Sequence, residues 1–260
     1  LQTISTVMIE YKNRTYREHL QKERWHSFTG VYKETDLWIG IDQESFQESI
    51  LAFTESRIRT LRESMDAYLQ NDPDYATSLV PYEARPEAPT IFQKMSEMSK
   101  KSGIGPMSGV AGAVASRIGQ EIKEKYGVRE IIVENGGDIY ADIQENIDIS
   151  VFAGTSPLSE KVGFTIRADQ APLGICTSSG TVGPSLSFGK ADAVMIICKD
   201  CTLADTYATA FANEIKTTDD VAPCVEKIGK TQEILAAICI KDDKIGIHGI
   251  FDLKLFHSKL

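Results

Sequence analysis

Apolar and β-branched positions dominate residues 3–11, recur briefly at 16–19, and return at 27–32 and 36–41 on either side of the polar step Lys33-Glu34-Thr35. This pattern predicts strands, the last two joined as a hairpin. From Gln43 the period changes. Phe46, Ile50, Phe53, Ile58, Leu61, Met65 and Leu69 fall three to five residues apart with charges between them, the stripe of one long amphipathic helix or of two with a break. Residues 71–89 carry four prolines and little periodicity, which predicts a surface crossing loop.

A short helix is expected at 91–100, and Gly103-Ile104-Gly105-Pro106 introduces a second, with proline at a tolerated first-turn position. Met107, Val110, Val114, Ile118 and Ile122 form its apolar stripe, while Gly109, Gly112, Ala113, Ser116 and Gly119 leave another side nearly bare. An interior glycine costs about 1 kcal/mol relative to alanine, so something approaches this backbone closely, either the neighbouring sheet or a ligand near Gly105. Strands are then predicted at 130–133, 139–143, 147–152, 162–167, 174–177 and 193–198, helices at 203–213 and 219–228, and closing strands at 234–240 and 244–250. Strands outnumber helices and often follow one another directly. The fold class expected is therefore α+β with a largely antiparallel sheet.

With 42% hydrophobic residues among 260, the chain can bury a sizeable core; the length allows one large domain or two small ones, and we expect a single domain over residues 1–260. The longest apolar runs have the length of buried strands, far short of the roughly 20 residues a membrane-spanning helix needs. A net charge of −9, from 28 basic and 37 acidic residues, argues against nucleic acid and anionic membrane surfaces as partners. A small-molecule ligand and a possible homo-oligomer remain. Five cysteines without framework spacing read as reduced thiols of a cytoplasmic protein. The sequence opens on Leu1 and shows no basic stretch followed by an apolar one, so export has no positive sign.

Three polar segments at predicted strand ends or helix starts could carry chemistry. In Asn135-Gly136-Gly137-Asp138 the glycines expose main-chain N–H groups, and Asp138 could hold a ligand hydroxyl or position a nucleophile or water. The same residues also make a plain hairpin turn. The run Thr177-Ser178-Ser179-Gly180-Thr181, with Ser185 and Ser187 following, could present hydroxyls and a nest of amides to phosphate, or simply be a solvated loop. In Thr202-Leu203-Ala204-Asp205-Thr206-Tyr207-Ala208-Thr209, Asp205 and Thr209 share one helical face and offer two hard oxygens suited to Mg²⁺. The rival reading there is a capping box between Thr202 and Asp205. Cys198-Lys199-Asp200-Cys201 is a lone C-x-x-C without a second pair, and the four histidines are scattered, so neither structural zinc nor a hydrolytic triad is supported.

Taken in order, the three segments resemble the signature series of the ApbE superfamily, whose characterised members are Mg²⁺-dependent FAD:protein FMN transferases with an α+β fold related to the T-fold. Asn135-Gly136-Gly137-Asp138-Ile139 resembles that family's Asn-x-Gly-Gly-Asp turn. Thr177-Ser178-Ser179-Gly180 resembles its Thr-Ser-Gly loop with one residue more, and Ala204-Asp205-Thr206-Tyr207-Ala208-Thr209-Ala210 its Ala-Asp-x-x-Ala-Thr-Ala helix start. The resemblance implies metal ligands at Asp205 and Thr209 and a bound FAD or other flavin- or pterin-like cofactor. Thr35-Asp36-Leu37, Ala88-Pro89 and Gly103-Ile104-Gly105-Pro106-Met107 are similar to an uncharacterised, soluble branch. The transferases' Lys-Gly-x-x-x-Asp and His-x-x-Asp-Pro-x-Thr-Gly stretches have no counterpart here. The expected function is Mg²⁺-assisted binding of a phosphorylated fused-ring molecule, with phosphoryl or nucleotidyl transfer or hydrolysis if the protein is an enzyme. The alternatives are FMN transfer and a non-catalytic carrier or sensor.

Overall fold

The computed structural model describes residues 24–182 and 187–256. The strands expected at 3–11 and 16–19 lie outside them, as does Ser185. A hairpin of β1 (Trp25–Tyr32) and β2 (Thr35–Asp42) leads into α1 (Ser49–Asn71), one unbroken helix rather than two. The crossing segment is less bare than its prolines suggest. Pro73 starts a short helix, α2 (Pro73–Thr77), whose Tyr75 is fully buried and whose hydroxyl donates to the Phe92 carbonyl. Next come α3 (Thr90–Ser102), a 3₁₀ turn at Pro106–Gly109 and α4 (Val110–Tyr126), followed by β3 (Ile131–Asn135), β4 (Asp138–Asp142), β5 (Ile147–Ser150), β6 (Val162–Ile166), β7 (Leu173–Ser178) and β8 (Ala193–Cys198). The chain continues through α5 (Cys201–Glu214), α6 (Val221–Ile228), β9 (Ile234–Lys241), β10 (Lys244–Gly249) and β11 (Asp252–Leu255). The sequence pattern did not signal β11, whose four residues are all exposed and so lack the mark of burial.

Eight strands form one antiparallel sheet in the order β1-β2-β3-β4-β7-β8-β9-β10, and β11-β6-β5 form a smaller one. This is the α+β arrangement expected. Alternation along each strand sorts side chains between two cores. Leu37, Ile39, Ile41, Ile131, Val133, Tyr140 and Cys176 face the helices, whereas Trp38, Ile132 and Ile175 join the core that the small sheet covers. Asp138 stands two residues before Tyr140 and therefore belongs to the helical face. No helix among the described residues is long and apolar enough to cross a membrane.

Candidate functional site

Gly136 and Gly137 have φ of 68° and 107°, a left-handed pair that only glycine adopts without strain, and they close β3 onto β4 with Asn135 paired to Asp138. The plain-turn reading of this motif is thus correct for its first three residues. Asn135 Nδ2 donates to the Ala111 carbonyl at 3.1 Å, fastening the hairpin to the start of α4, and the Gly137 N–H donates to Glu134 Oε1 at 2.8 Å. Asp138, the fourth residue, turns inward and is buried.

At the start of α5 the capping box does not form. Asp200 caps the helix, accepting the Leu203 N–H at 3.0 Å, which leaves Asp205 in the second turn and free of that task. Its Oδ2 instead accepts the Gly112 N–H at 2.8 Å, across the gap to α4. The two helices can meet because α4 is bare there: a Cβ at Gly109 would lie 2.7 Å from Thr206 Cγ2, and one at Gly112 would lie 2.5 Å from the Cys201 carbonyl oxygen. Neighbouring structure thus explains the glycine stripe, though the neighbour at these two positions is a helix rather than the sheet. At Gly105 too the close neighbour is the chain itself, the Ser78 carbonyl oxygen standing 1.8 Å from a Cβ at that position.

The hydroxyl run divides in two. Thr177 and Ser178 end β7, both half-buried, and Thr209 Oγ1 donates to Ser178 Oγ at 3.4 Å. Beyond them the loop is engaged with itself. Ser179 Oγ accepts the Thr181 and Val182 N–H groups at 3.0 and 2.9 Å, the Gly180 N–H donates to the Ala191 carbonyl at 2.9 Å, and Thr181 Oγ1 donates to Asp192 Oδ1 at 3.1 Å. The amide nest anticipated for phosphate is therefore not available at residues 180–182. Gly180 serves close chain packing, its Cβ position being 2.4 Å from the Gly189 carbonyl oxygen.

What the fold brings together is Asp138, Asp205, Thr177, Ser178 and Thr209, on adjoining strand ends and one face of α5. Sequence reasoning missed the floor beneath them. Cys176 Sγ lies 3.7 Å from Cys201 Sγ, and Cys201 Sγ lies 3.4 Å from the Ile139 carbonyl oxygen. The C-x-x-C spacing had paired Cys201 with Cys198. The available signal was Cys176, one step along the β4–β7 ladder from the Ile139–Ile175 pair and so level with Asp138.

The electrostatics follow from burial. Burial, with Asp205 alongside and Glu134 nearby, drives the Asp138 carboxyl well above its usual range, against the pull of the Cys176 thiol and the Thr177 amide. Burial likewise pushes Asp205 up to about 7, although the Gly112 and Ala111 amides favour its charged form. The Cys176 thiol is raised by burial and stays protonated. Among the described residues no lysine or arginine pairs with either aspartate. Two open grooves of about 460 and 540 Å³ lie elsewhere, beside Tyr207 and Glu233 and beside Glu97 and Lys100, and touch none of these groups.

The sequence and the fold both have known relatives. The sequence profile of the family described as AbpE bacteria matches residues 17–228. A UPF0280 protein of Methanosarcina acetivorans is 36% identical over 218 residues, covering 84% of each chain. Another from Methanocaldococcus jannaschii is 32% identical over 230 residues, covering 86% of this chain and 91% of its own. A mutant of the flavin transferase ApbE from Vibrio cholerae shares the fold with a TM-score of 0.55 at 13% identity, over 86% of this chain and 96% of that one. The ApbE protein of Thermotoga maritima does so with a TM-score of 0.52 at 13% identity, over 85% and 96%. The chain belongs to the AbpE bacteria family, and its fold is that of the ApbE proteins.

Proposed function

We propose that this AbpE-family chain binds a phosphorylated fused-ring molecule of the flavin or pterin class together with Mg²⁺, and that its reaction is transfer or hydrolysis at the ligand's phosphate. The observation that carries the proposal is that Asp138 and Asp205 are both buried, that Asp205 is near enough to raise the Asp138 carboxyl, and that among the described residues no lysine or arginine pairs with either. Burying such a pair as two charges is costly, so each carboxyl holds its proton more tightly than usual, and a divalent cation would let both ionise. The donors fit Mg²⁺, because Asp205 and Thr209 offer hard oxygens on one helical face, with room in the coordination shell for water and phosphate. Bound there, Mg²⁺ supplies neutralisation of charge that develops on phosphate oxygens.

The chain's own residues perform the rest. The Gly112 amide fixes the Asp205 carboxylate. Thr177 and Ser178 offer hydroxyls at the end of β7, beside Thr209, where they can hold phosphate oxygens. Asp138, whose carboxyl is driven up by burial and by Asp205 alongside, is suited to orient an attacking hydroxyl or water. The flavin class is favoured by the fold shared with a flavin transferase.

The test is calorimetric titration of FMN and of riboflavin, each with and without Mg²⁺. FMN should bind more tightly than riboflavin, and only with Mg²⁺ present. Asp205→Ala should abolish that difference, and Thr209→Val should reduce it. Equal affinity for both compounds, or an Mg²⁺ effect that survives Asp205→Ala, would remove the proposal.

A further inference from the structure

Beyond Thr209, α5 runs one more turn, about 6 Å along its axis, to Asn213. There it grips a second stretch of chain. Asn213 Oδ1 accepts the Phe188 N–H at 2.8 Å and the Ser187 hydroxyl at 3.2 Å, and Ser187 Oγ in turn accepts the Gly189 N–H at 3.2 Å. The next residues are seated as firmly. The Gly189 Cβ position would lie 1.8 Å from the Ala212 carbonyl oxygen, and the Lys190 N–H donates to the Ile215 carbonyl at 2.7 Å. On its other side Gly189 meets Gly180, in the hydroxyl run.

Phe188 thus stands between the last turn of α5 and the loop that follows Ser178, on a backbone fixed from both sides, and the residue is 54% exposed. A single exposed apolar residue ordinarily needs no explanation. Here, however, an aromatic residue on a fixed backbone is anchored one turn of α5 beyond Thr209, and the carboxylates and hydroxyls named above offer a fused ring no aromatic face. Aromatic side chains take planar rings by offset stacking, an interaction tolerant of ring identity.

We propose that Phe188 is the stacking platform for the ring of the ligand and that Asn213 is the residue that positions it, so that the site selects phosphorylated compounds carrying a planar heteroaromatic ring over those without one. This rests on the phosphate and Mg²⁺ reading of Asp205 and Thr209. In that arrangement α5 measures the ligand: Asp205 and Thr209 take the phosphate end, and Asn213, one turn on, sets the ring end.

The experiment compares FMN with ribose 5-phosphate, both with Mg²⁺, on the full chain and on Phe188→Ala, Phe188→Trp and Phe188→Trp/Asn213→Ala. Phe188→Ala should weaken FMN binding by about 10-fold or more and leave ribose 5-phosphate unchanged. Phe188→Trp should retain FMN affinity and quench flavin emission on binding, and adding Asn213→Ala should relieve the quenching. If Phe188→Ala affects both compounds alike or neither, or the tryptophan does not quench, Phe188 is not the platform, while Mg²⁺-dependent binding of ribose 5-phosphate keeps the phosphate site standing. If the unaltered chain binds neither compound, both proposals fall.

Discussion

The two ends of β3 each hold a buried carboxylate, and they are opposites. Glu130, just before the strand, and Asp138, just across the hairpin after it, are 7% and 8% exposed. Burial disfavours the charged form at both. At Glu130 it is overcome: Arg24 forks onto the carboxylate at 2.5 and 3.1 Å, the Gln144 and Glu145 amides donate to it, and its carboxyl is held below the usual range. Asp138 instead has Asp205, Glu134 and two neutral thiols around it, and its carboxyl is driven up. Equal burial with unequal company separates a carboxylate held charged, which braces the fold, from one that holds its proton tightly.

The contrast can be broken most forcibly at Arg24. Arg24→Met leaves Glu130 buried and unpaired and should lower stability by about 3–5 kcal/mol in urea unfolding at neutral pH. Asp138→Asn removes one of two crowded acids and should cost far less. Comparable losses would erase the distinction. Next in size is the response to Mg²⁺. At a hundred times its Kd the ion should stabilise the chain by about 2.7 kcal/mol, an increment lost in Asp205→Ala and kept in Glu130→Gln, as read by thermal melting. Gly112→Ala should cost about 1–3 kcal/mol, because the Cys201 carbonyl cannot yield to a Cβ at 2.5 Å, and it should weaken Mg²⁺ binding through the displaced amide. A mutant that melts like the parent would show that α4 and α5 have slack there.

The remaining contrast is in the pH profile, where the sign differs between the two ends. Glu130 has a depressed carboxyl, so its contribution to stability is present above the unfolded value and is lost as pH falls through the folded one. Asp205, raised to about 7, binds its proton more tightly folded than unfolded, and its contribution is lost as pH rises through that value. Without Mg²⁺, Asp205→Asn should therefore gain on the parent between about pH 4 and 7, by at most about 1.4 kcal/mol per unit. A difference that stays level over that range would mean Asp205 is charged throughout it.

Much of this was legible in the sequence, because periodicity reports burial and both cores are built on it. Leu37, Ile39 and Ile41 alternate with Trp38 as their strand requires. The paired acids were visible as motifs at the ends of predicted elements. What stayed hidden depends on contacts between distant segments. No local pattern shows that Ser179 and Thr181 turn inward on their own loop, that Asp200 rather than Thr202 caps α5, or that Cys201 meets Cys176. The glycines of α4 announced a close neighbour without saying which, and only packing identifies α5 at Gly109 and Gly112.

Asp192 ties this region to a remote turn. One oxygen accepts the Thr181 hydroxyl, and the other accepts the Asp242 N–H at 2.6 Å. The connection between β9 and β10 is consequently a poor place to open the chain. A protease site or affinity tag inserted between Asp242 and Asp243 would sit on an exposed bend and pass for harmless, yet through Asp192, fifty residues upstream, it would slacken the segment after Ser178, so reporters and permuted termini are better placed in the Lys33-Glu34 turn between β1 and β2.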